Sequence, residues 1–543
     1  MLGKILIYIT FLASILSVVF YFLSHKYNPK IKYIARGFYY AVFFGSIATS
    51  LFLLYILLTH NFQYFYVWSY SSKELPTYLL ISSFFAGQEG SFLLWALFTA
   101  IIGTILIPYL NKRDYESLSM GFYSLILVFF YFLLIIKSPF NYIWDSMPEH
   151  NLEYGFTPLN GRGLNPILEN FWMSIHPPIL FIGYACLSVP FIIGLTGLIK
   201  KDFDNWILAA IPWNLFSVAT LGLGIALGAF WSYETLGWGG YWAWDPVENS
   251  SLLPWITSVA LSHTFLNQKH NKGLYRTNFF LAFITYILVI YSTFLTRSGI
   301  LGDFSVHSFV DPGKLIYSIL VLFLISFLLI GLIAFFLRLK DFPRQVHSYD
   351  ITSREFYNTI GVIVMIASVI IIFIGTSFPI LNTIFGMKAM SVDISFYNKW
   401  NLPLVIAILL FNSISVILKW KYSEFKINFK KLIIPAIISL VVAVILLFLT
   451  DFDILSISLI FTASLSFIIN LRQAIFSLAN RKKLGSYISH IGFAILMIGV
   501  IGSSYHSESH HTNLTLDDEK SINEIGLKFI GSEQIQTDRK SVV

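Results

Sequence analysis

Apolar runs of about 20 residues recur along nearly the whole chain and are separated by shorter polar connections. A helix of that length crosses the hydrocarbon core of a bilayer, so we predict about fourteen membrane helices. They lie at 3–23, 38–59, 91–110, 118–137, 178–199, 207–230, 250–267, 277–296, 314–337, 357–378, 402–418, 431–449, 453–471 and 485–503. The predicted fold is an all-α polytopic membrane protein, with a transmembrane helical bundle over 1–503 and a polar segment over 504–543.

The connections between these helices alternate in charge. One set is rich in lysine and arginine and lies around 26–36, 112–113, 200–201, 269–276, 338–354, 419–431 and 472–483. The other set has few basic residues and several acidic ones, among them Asp145, Glu149, Glu153, Glu234 and Glu248. By the positive-inside rule the basic set is cytoplasmic, and the amino terminus lies outside.

This orientation predicts that most of the polar chemistry lies on the outer face. The long outer segments are 60–90, 138–177, 231–249, 297–313, 379–401 and the tail from 504. The stretch "INEIGLKFIG" in the tail predicts a short strand, and we expect the tail to be part of a small β-containing domain that is cut short.

Composition agrees with a membrane protein, because 56% of the residues are hydrophobic and 12% are charged. The net charge of +7 comes from the cytoplasmic connections, so it indicates topology and gives no support to a nucleic-acid partner. The one cysteine, Cys186, lies in an apolar run, which excludes a disulfide or a cysteine-based metal site within the chain.

The outer loop 231–249 contains "WGGYWAWDP", in which Trp238, Trp242 and Trp244 lie close together. Tryptophans at a membrane surface usually form an interfacial belt, in which they stand singly. This spacing is denser, and Gly239 and Gly240 allow the backbone to approach a ligand closely. A shelf for a flat, polarisable ligand such as a porphyrin is the other interpretation.

The stretch "DPVEN" closes this loop and has the pattern of a helix start. Asp245 suits the N-cap, Pro246 the first helical position and Glu248 the third. The two carboxylates therefore have a sufficient role in capping, and a role at a binding site is the alternative.

Two histidines flank the aromatic loop in sequence on the predicted outer face. His176, in "SIHPPIL", opens the predicted helix at 178–199, and His307 lies in "LTRSGILGDFSVHSF". Each alone reads as a hydrogen-bonded loop histidine. Together with the tryptophans they predict a bis-histidine haem site.

Two further histidines are predicted to lie inside the membrane. His263 stands six residues before Lys269, and His490 stands seven residues after Lys483. Both are therefore roughly 9–10 Å from the cytoplasmic boundary. Two histidines at one depth on different helices suit a haem held between them, whereas the alternative is two unrelated side chains bonded to carbonyls.

The tryptophan-rich segment "WGGYWAWDPVENSSLLPW" resembles the haem-handling proteins of cytochrome c maturation. The wider pattern is similar to the family of cytochrome c maturation protein F, the CcmF-type haem lyase subunits. It is carried by "FFAGQEGSFLLW", "GLNPILENFWMSIHPPILFIGY", "LTRSGILGDFSVHSFVDPG" and "SHIGFA", in collinear order. The chain departs at Tyr241, where the family more often has tryptophan, and at Val543, where the family usually continues into a larger outer domain and one more helix.

The resemblance implies which residues handle haem. His176 and His307 would ligate the haem being delivered, and His263 and His490 would ligate a resident b haem. Trp238, Gly239, Gly240, Trp242, Trp244 and Asp245 would form the haem shelf. Arg297 is our candidate partner for a haem propionate, and Arg162 is the second.

The resemblance also implies the reaction and its setting. The protein would position haem for thioether attachment to the CxxCH motif of an apocytochrome c, and the resident haem would supply electrons. Its partners would be a haem chaperone, thiol-reducing maturation subunits in the membrane and, as electron donor, quinol. Since no transit peptide is present, we expect the bacterial inner membrane with a periplasmic catalytic face, and the mitochondrial inner membrane is the alternative.

Three other functions are weighed against this one. A haem exporter would need a string of charges through the membrane, and the sequence offers none. A quinol-linked b-type electron carrier has no use for the outer tryptophan loop. A structural scaffold leaves the four histidines unexplained.

Overall fold

The apolar runs form helices in the computed structural model, which describes residues 1–236, 240–309, 312–344, 350–479, 481–506, 512–522 and 525–531. The helices are α1 Leu2–Lys26, α2 Lys32–Leu58, α3 Phe65–Tyr70, α4 Thr77–Ser82, α5 Gln88–Asn111, α6 Glu116–Ile136, α7 Ile143–Ser146, α8 Phe171–Lys200, α9 Trp206–Thr235, α10 Pro246–Asn271, α11 Tyr275–Arg297, α12 Lys314–Leu337, α13 Arg354–Ile384, α14 Ile394–Ile417, α15 Phe425–Leu449, α16 Ile454–Phe476 and α17 Arg481–His506. Four single-turn 3₁₀ helices lie at Pro29–Ile31, Ser83–Phe85, Pro148–His150 and Pro166–Leu168.

Each of the fourteen predicted membrane helices corresponds to one of the long helices, so the predicted fold class is confirmed. Within the described residues, 13 helices are long and apolar enough to cross a membrane. The remaining one, α10, is more polar because it packs against α9, α11 and α13 rather than against lipid. Its polar side chains find partners there: the Ser262 hydroxyl, for example, accepts a hydrogen bond from the Asn214 side chain of α9 over 2.8 Å.

Several helices extend beyond the predicted runs. Helix α8 begins at Phe171 rather than at 178, because the Asn170 side chain accepts a hydrogen bond from the Trp172 amide and caps it. His176 therefore lies in the second turn of α8 and does not open it. Helix α13 continues past Pro379 to Ile384, and α14 begins at Ile394. The connection between them is therefore shorter than the predicted outer segment 379–401.

The predicted outer segments 60–90 and 138–177 contain the short helices α3, α4 and α7. These short helices are tied to one another and to the bundle by hydrogen bonds. The Tyr66 hydroxyl donates to the carbonyl of Phe84 over 2.8 Å, and the Arg162 amide donates to the carbonyl of Trp68 over 2.7 Å. Such contacts between distant segments leave no periodic signal in the sequence.

The tail contains a two-stranded antiparallel hairpin. Strand β1, Glu519–Ile522, pairs with β2, Ile525–Lys528, and Ile522 stands opposite Ile525. The strand predicted in "INEIGLKFIG" is confirmed as β2.

Candidate functional site

The end of the aromatic loop forms a capping box at the start of α10. The Asp245 side chain accepts from the amides of Val247 and Glu248, and the Glu248 carboxylate accepts from the Asp245 amide over 3.2 Å. A cap of this kind stabilises a helix by about 1 kcal/mol. The capping role predicted for Asp245 and Glu248 is thus confirmed.

Asp245 has a second set of partners that the capping pattern does not reveal. Its Oδ1 lies 3.1 Å from Nδ1 of His307 and accepts a hydrogen bond from the Ser305 hydroxyl over 2.7 Å. The Ser305 hydroxyl in turn accepts from the His307 amide over 3.1 Å. The aromatic loop and the histidine loop are therefore joined through one carboxylate oxygen.

The electrostatics of His307 follow from this geometry. Burial by itself lowers the pKa of His307, but the hydrogen bond to Asp245 and the negative charges of Asp245 and Glu248 outweigh it, so that the pKa lies above its ordinary value. An imidazole whose Nδ1 faces a carboxylate is oriented to bind a metal through Nε2, the usual arrangement of a metal-binding histidine.

Trp231, in the last turns of α9, contacts both outer histidines. Its ring centroid is 5.6 Å from that of His176 and 5.1 Å from that of His307. Its indole nitrogen donates to the carbonyl of Ile167 over 3.0 Å, which fixes the ring. The sequence did not single out Trp231, because it lies outside the tryptophan motif; its only signal was a tryptophan at the outer end of a helix.

His176 is held from two directions. Its Nδ1 lies 3.0 Å from the carbonyl of Trp172, one turn earlier on α8. On α9, Gly228 lies beside the imidazole, and a side-chain carbon there would make an ordinary van der Waals contact of 3.4 Å with it. Both outer histidines are therefore positioned by protein groups, and one indole contacts both.

Trp242 and Trp244, the described tryptophans of the aromatic loop, have different neighbours. The Trp244 ring stacks on that of Tyr397 at 4.9 Å and 6°, and its indole nitrogen donates to Asn398 Oδ1 over 2.9 Å. Trp242 contacts Trp244 edge-on at 6.0 Å. The carbonyl of Gly240 accepts from the Ser232 hydroxyl over 3.3 Å. Trp238 and Gly239 lie outside the described residues.

Trp244 also has an unusual backbone, with φ at +55°. This left-handed conformation is costly for a bulky residue and persists only where the surroundings enforce it. The stack on Tyr397, the bond to Asn398 and a hydrogen bond of 2.9 Å from the Asn249 side chain to the Trp244 carbonyl do so. Trp244 therefore joins the loop to α14, which the sequence did not indicate.

The inner histidines face each other directly. The ring centroids of His263 on α10 and His490 on α17 are 6.1 Å apart, with 22° between the ring planes. A metal–histidine bond is about 2 Å long and each ring centre lies roughly 1 Å behind its nitrogen, so two axial histidines need centres about 6 Å apart. Nδ1 of His490 is buried and has no hydrogen-bond partner.

The helices that carry this inner pair pack mainly on other elements. Helix α10 packs against α9, α11 and α13, and α17 packs against α16. Among the described residues, the two histidines therefore meet between helices that otherwise have little contact. The spacing, the unpartnered buried nitrogen and this sparse packing all fit an iron porphyrin held between His263 and His490.

Arg297 is buried at the end of α11, with 5% of its surface exposed. Its Nε and Nη2 donate to the Ser91 hydroxyl over 3.2 and 3.1 Å, and the guanidinium lies 5.5 Å from the centre of the Phe309 ring. No ion pair joins it to a carboxylate in the described part of the chain. Arg162 instead lies over the Trp68 ring at 5.5 Å, in the outer segment.

The chain is similar to known proteins of cytochrome c biogenesis. The family model for "Cytochrome C assembly protein" matches residues 85–301. The cytochrome c-type biogenesis protein CcmF of Pseudomonas fluorescens is 30% identical over 501 residues, covering 88% of this chain and 72% of the relative. The protein of the same name from Haemophilus influenzae is 28% identical over 531 residues, covering 94% of this chain and 79% of the relative.

A solved structure has the same fold. The structure named cytochrome c heme lyase CcmF superposes with a TM-score of 0.72 at 23% sequence identity, covering 92% of this chain and 76% of that one.

Proposed function

The chain belongs to the CcmF family of cytochrome c-type biogenesis proteins, and on that premise we propose that it is a cytochrome c haem lyase subunit. It would receive haem from a haem chaperone and present it to the CxxCH motif of an apocytochrome c. The observation that carries the proposal is the bond between Asp245, the last residue of the tryptophan signature, and His307. A scaffold or a simple electron carrier would not need those two loops to be joined.

The chemistry of attachment asks the protein for orientation rather than for a nucleophile. Each cysteine thiol of the apocytochrome adds across a haem vinyl group, so that a carbon–sulfur bond forms, the thiol hydrogen moves to the neighbouring vinyl carbon, and no net electrons are exchanged. Cys186, the single cysteine, is buried in α8 and does not take part. Holding the reacting groups in place can lower the barrier by several kcal/mol.

The residues of the outer site have distinct roles in this proposal. His176 and His307 bind the iron of the substrate haem, and Trp231 packs against both rings and keeps them in place. Asp245 orients the His307 imidazole so that Nε2 is the ligand atom. Trp242 and Trp244 face the substrate ring as a rigid aromatic wall, and Arg297 supplies a cation for a propionate.

His263 and His490 would hold a resident b haem. That group supplies one-electron transfer, which keeps the substrate iron ferrous with electrons from quinol or another donor. The protein's own contribution there is the rigid pair of imidazoles on α10 and α17.

The membrane setting and the partners belong to the same proposal. The protein would lie in the bacterial inner membrane, with the outer site on the periplasmic face. There it would meet apocytochrome c, the haem chaperone and membrane subunits that keep the cysteine thiols reduced. The thirteen apolar helices of the described residues establish a multi-pass membrane protein.

The test is formation of holocytochrome. The protein is expressed with its maturation partners in a strain lacking its own equivalent, and covalent haem on a reporter cytochrome is measured after denaturing electrophoresis. We expect covalent haem with a CxxCH reporter and none with a reporter whose two cysteines are alanine. Haem that reaches the outer face without becoming covalently attached would instead indicate an exporter.

A further inference from the structure

We propose that Arg354 is the anchor for the propionate carboxylates of the haem held by His263 and His490. Arg354 is the first residue of α13, in the connection predicted to face the cytoplasm. The inference rests on the resident haem of the proposed function and adds the residue that recognises the acidic edge of that haem.

The guanidinium of Arg354 is fixed by the end of another helix. Its Nε donates to the carbonyl of Ser415 over 2.9 Å, and its Nη2 donates to the carbonyl of Val416 over 2.7 Å. Both carbonyls belong to the last turn of α14. An arginine side chain has five N–H donors, so these bonds hold the fork rigid and leave further donors for an acceptor.

No carboxylate of the described residues forms an ion pair with this guanidinium. The adjacent Glu355 is buried, and its two oxygens accept from the Lys421 amide over 2.8 and 2.9 Å. Carbonyl oxygens orient the half-buried Arg354 guanidinium but do not pair with its charge. The charge of Glu355 acts on Arg354 from nearby, yet the guanidinium has no direct carboxylate partner among the described residues.

Arg354 lies beside both helices that carry the inner histidines. It is close enough to His490, and to Tyr487 three residues earlier on α17, to interact with both electrostatically. On its other side the guanidinium stands over the Trp420 ring at 5.4 Å. Trp420 in turn stacks on His270 of α10 at 4.1 Å and 14°.

The position matches the shape of a haem. In that molecule the iron is at the centre and both propionates are on one edge. His270 lies seven residues after His263, nearly two turns closer to the end of α10, so Trp420 and Arg354 mark one end of the region between α10 and α17. A haem whose iron lies between the histidines and whose acidic edge points to that end brings its carboxylates to Arg354, where planar two-point binding is available.

The experiment compares haem with its dimethyl ester, which has the same ring and iron but no free carboxylates. Each is added to the detergent-solubilised protein stripped of haem, and affinity is measured from the visible spectrum. The wild type should prefer haem over the ester roughly tenfold or more, the difference expected from a hydrogen bond between charged groups. Arg354→Gln should abolish the preference, and Arg354→Lys should keep part of it.

Arg338→Gln is the matched control. Arg338 also binds the carbonyls at the end of a helix, those of Leu198 and Ile199 over 3.1 and 3.5 Å, but it contacts α8 instead of the histidine helices. It should keep the wild-type preference. If Arg354 only ties α13 to α14, Arg354→Gln will weaken haem and ester equally, which overturns the inference. Wild-type protein that binds neither compound would refute the resident haem itself.

Discussion

The inner and the outer histidine pairs are built in opposite ways. His263 and His490 face each other directly at 6.1 Å between α10 and α17, and a buried nitrogen of His490 has no partner. His176 and His307 are each held by protein groups, and the indole of Trp231 packs against both rings.

The difference between the two pairs affects the free-energy cost of leaving each pair without a ligand. A buried polar atom without a partner inside a membrane protein is expensive, so the inner pair favours a bound group. At the outer pair, Nδ1 of His176 lies 3.0 Å from the Trp172 carbonyl and Nδ1 of His307 lies 3.1 Å from the Asp245 carboxylate, so protein groups face both nitrogens. The inner pair is therefore suited to a permanent group, and the outer pair is suited to a substrate that comes and goes.

The largest expected effect is loss of the resident haem in His263→Ala and His490→Ala. Each change removes one of two axial ligands and leaves the other buried without a partner. Haem per purified protein, measured from the visible spectrum, should fall close to zero. His25→Ala, which removes an exposed histidine in the last turn of α1, serves as control and should keep its haem. Wild-type haem content in both inner variants would refute the assignment.

The outer pair should give the complementary result. His176→Ala and His307→Ala should abolish holocytochrome formation yet keep the b-type spectrum of the purified protein, because neither residue contacts the inner pair. The measurement is covalent haem on the reporter cytochrome, normalised to protein in the membrane. A variant that loses the spectrum and still matures cytochrome would mean that the two sites are exchanged.

The sequence predicted the features that depend on local pattern. The fourteen long helices follow from the length of apolar runs, and the capping box follows from the spacing of Asp245 and Glu248. The inner histidines could be singled out because histidine is rare in apolar runs, and the outer two because they flank the aromatic loop; the inner two do meet. The polarity of the side chains and their spacing along the sequence were sufficient for these predictions.

Contacts between distant segments could not be predicted in the same way. Trp231 reaches both outer histidines only because α8, α9 and the loop after α11 meet in space. Trp244 stacks on Tyr397, more than 150 positions away, and Arg354 binds the end of α14. These contacts are set by packing, so one chain without its structure gives no signal for them.

Trp231 tests whether the outer histidines need the indole between them. Trp231→Ala removes two aromatic contacts, together about 1–3 kcal/mol, and should lower holocytochrome yield roughly tenfold. Trp231→Phe keeps an aromatic face and should lose much less. Neither change should alter the resident haem, since Trp231 does not contact the inner pair. A yield that rises in Trp231→Ala would mean that the indole obstructs the outer site instead of ordering it.

The smallest expected effect comes from Asp245→Asn, which separates the two roles of this residue. Asparagine caps a helix about as well as aspartate, so the thermal stability of the variant should be unchanged. It also keeps a neutral hydrogen bond to His307 but loses the charge that favours one orientation of the imidazole. A difference of about 1 kcal/mol predicts a roughly fivefold lower yield of holocytochrome.

Asp245→Ala completes the comparison, because it removes the cap and the ion pair together. It should lower both the thermal stability and the yield, whereas Asp245→Asn should lower the yield alone. Thermal unfolding of the purified protein and covalent haem on the reporter separate the two effects. If Asp245→Asn matures cytochrome as well as the wild type does, the carboxylate serves only to start α10, and the bond between the two outer loops does not contribute to the reaction.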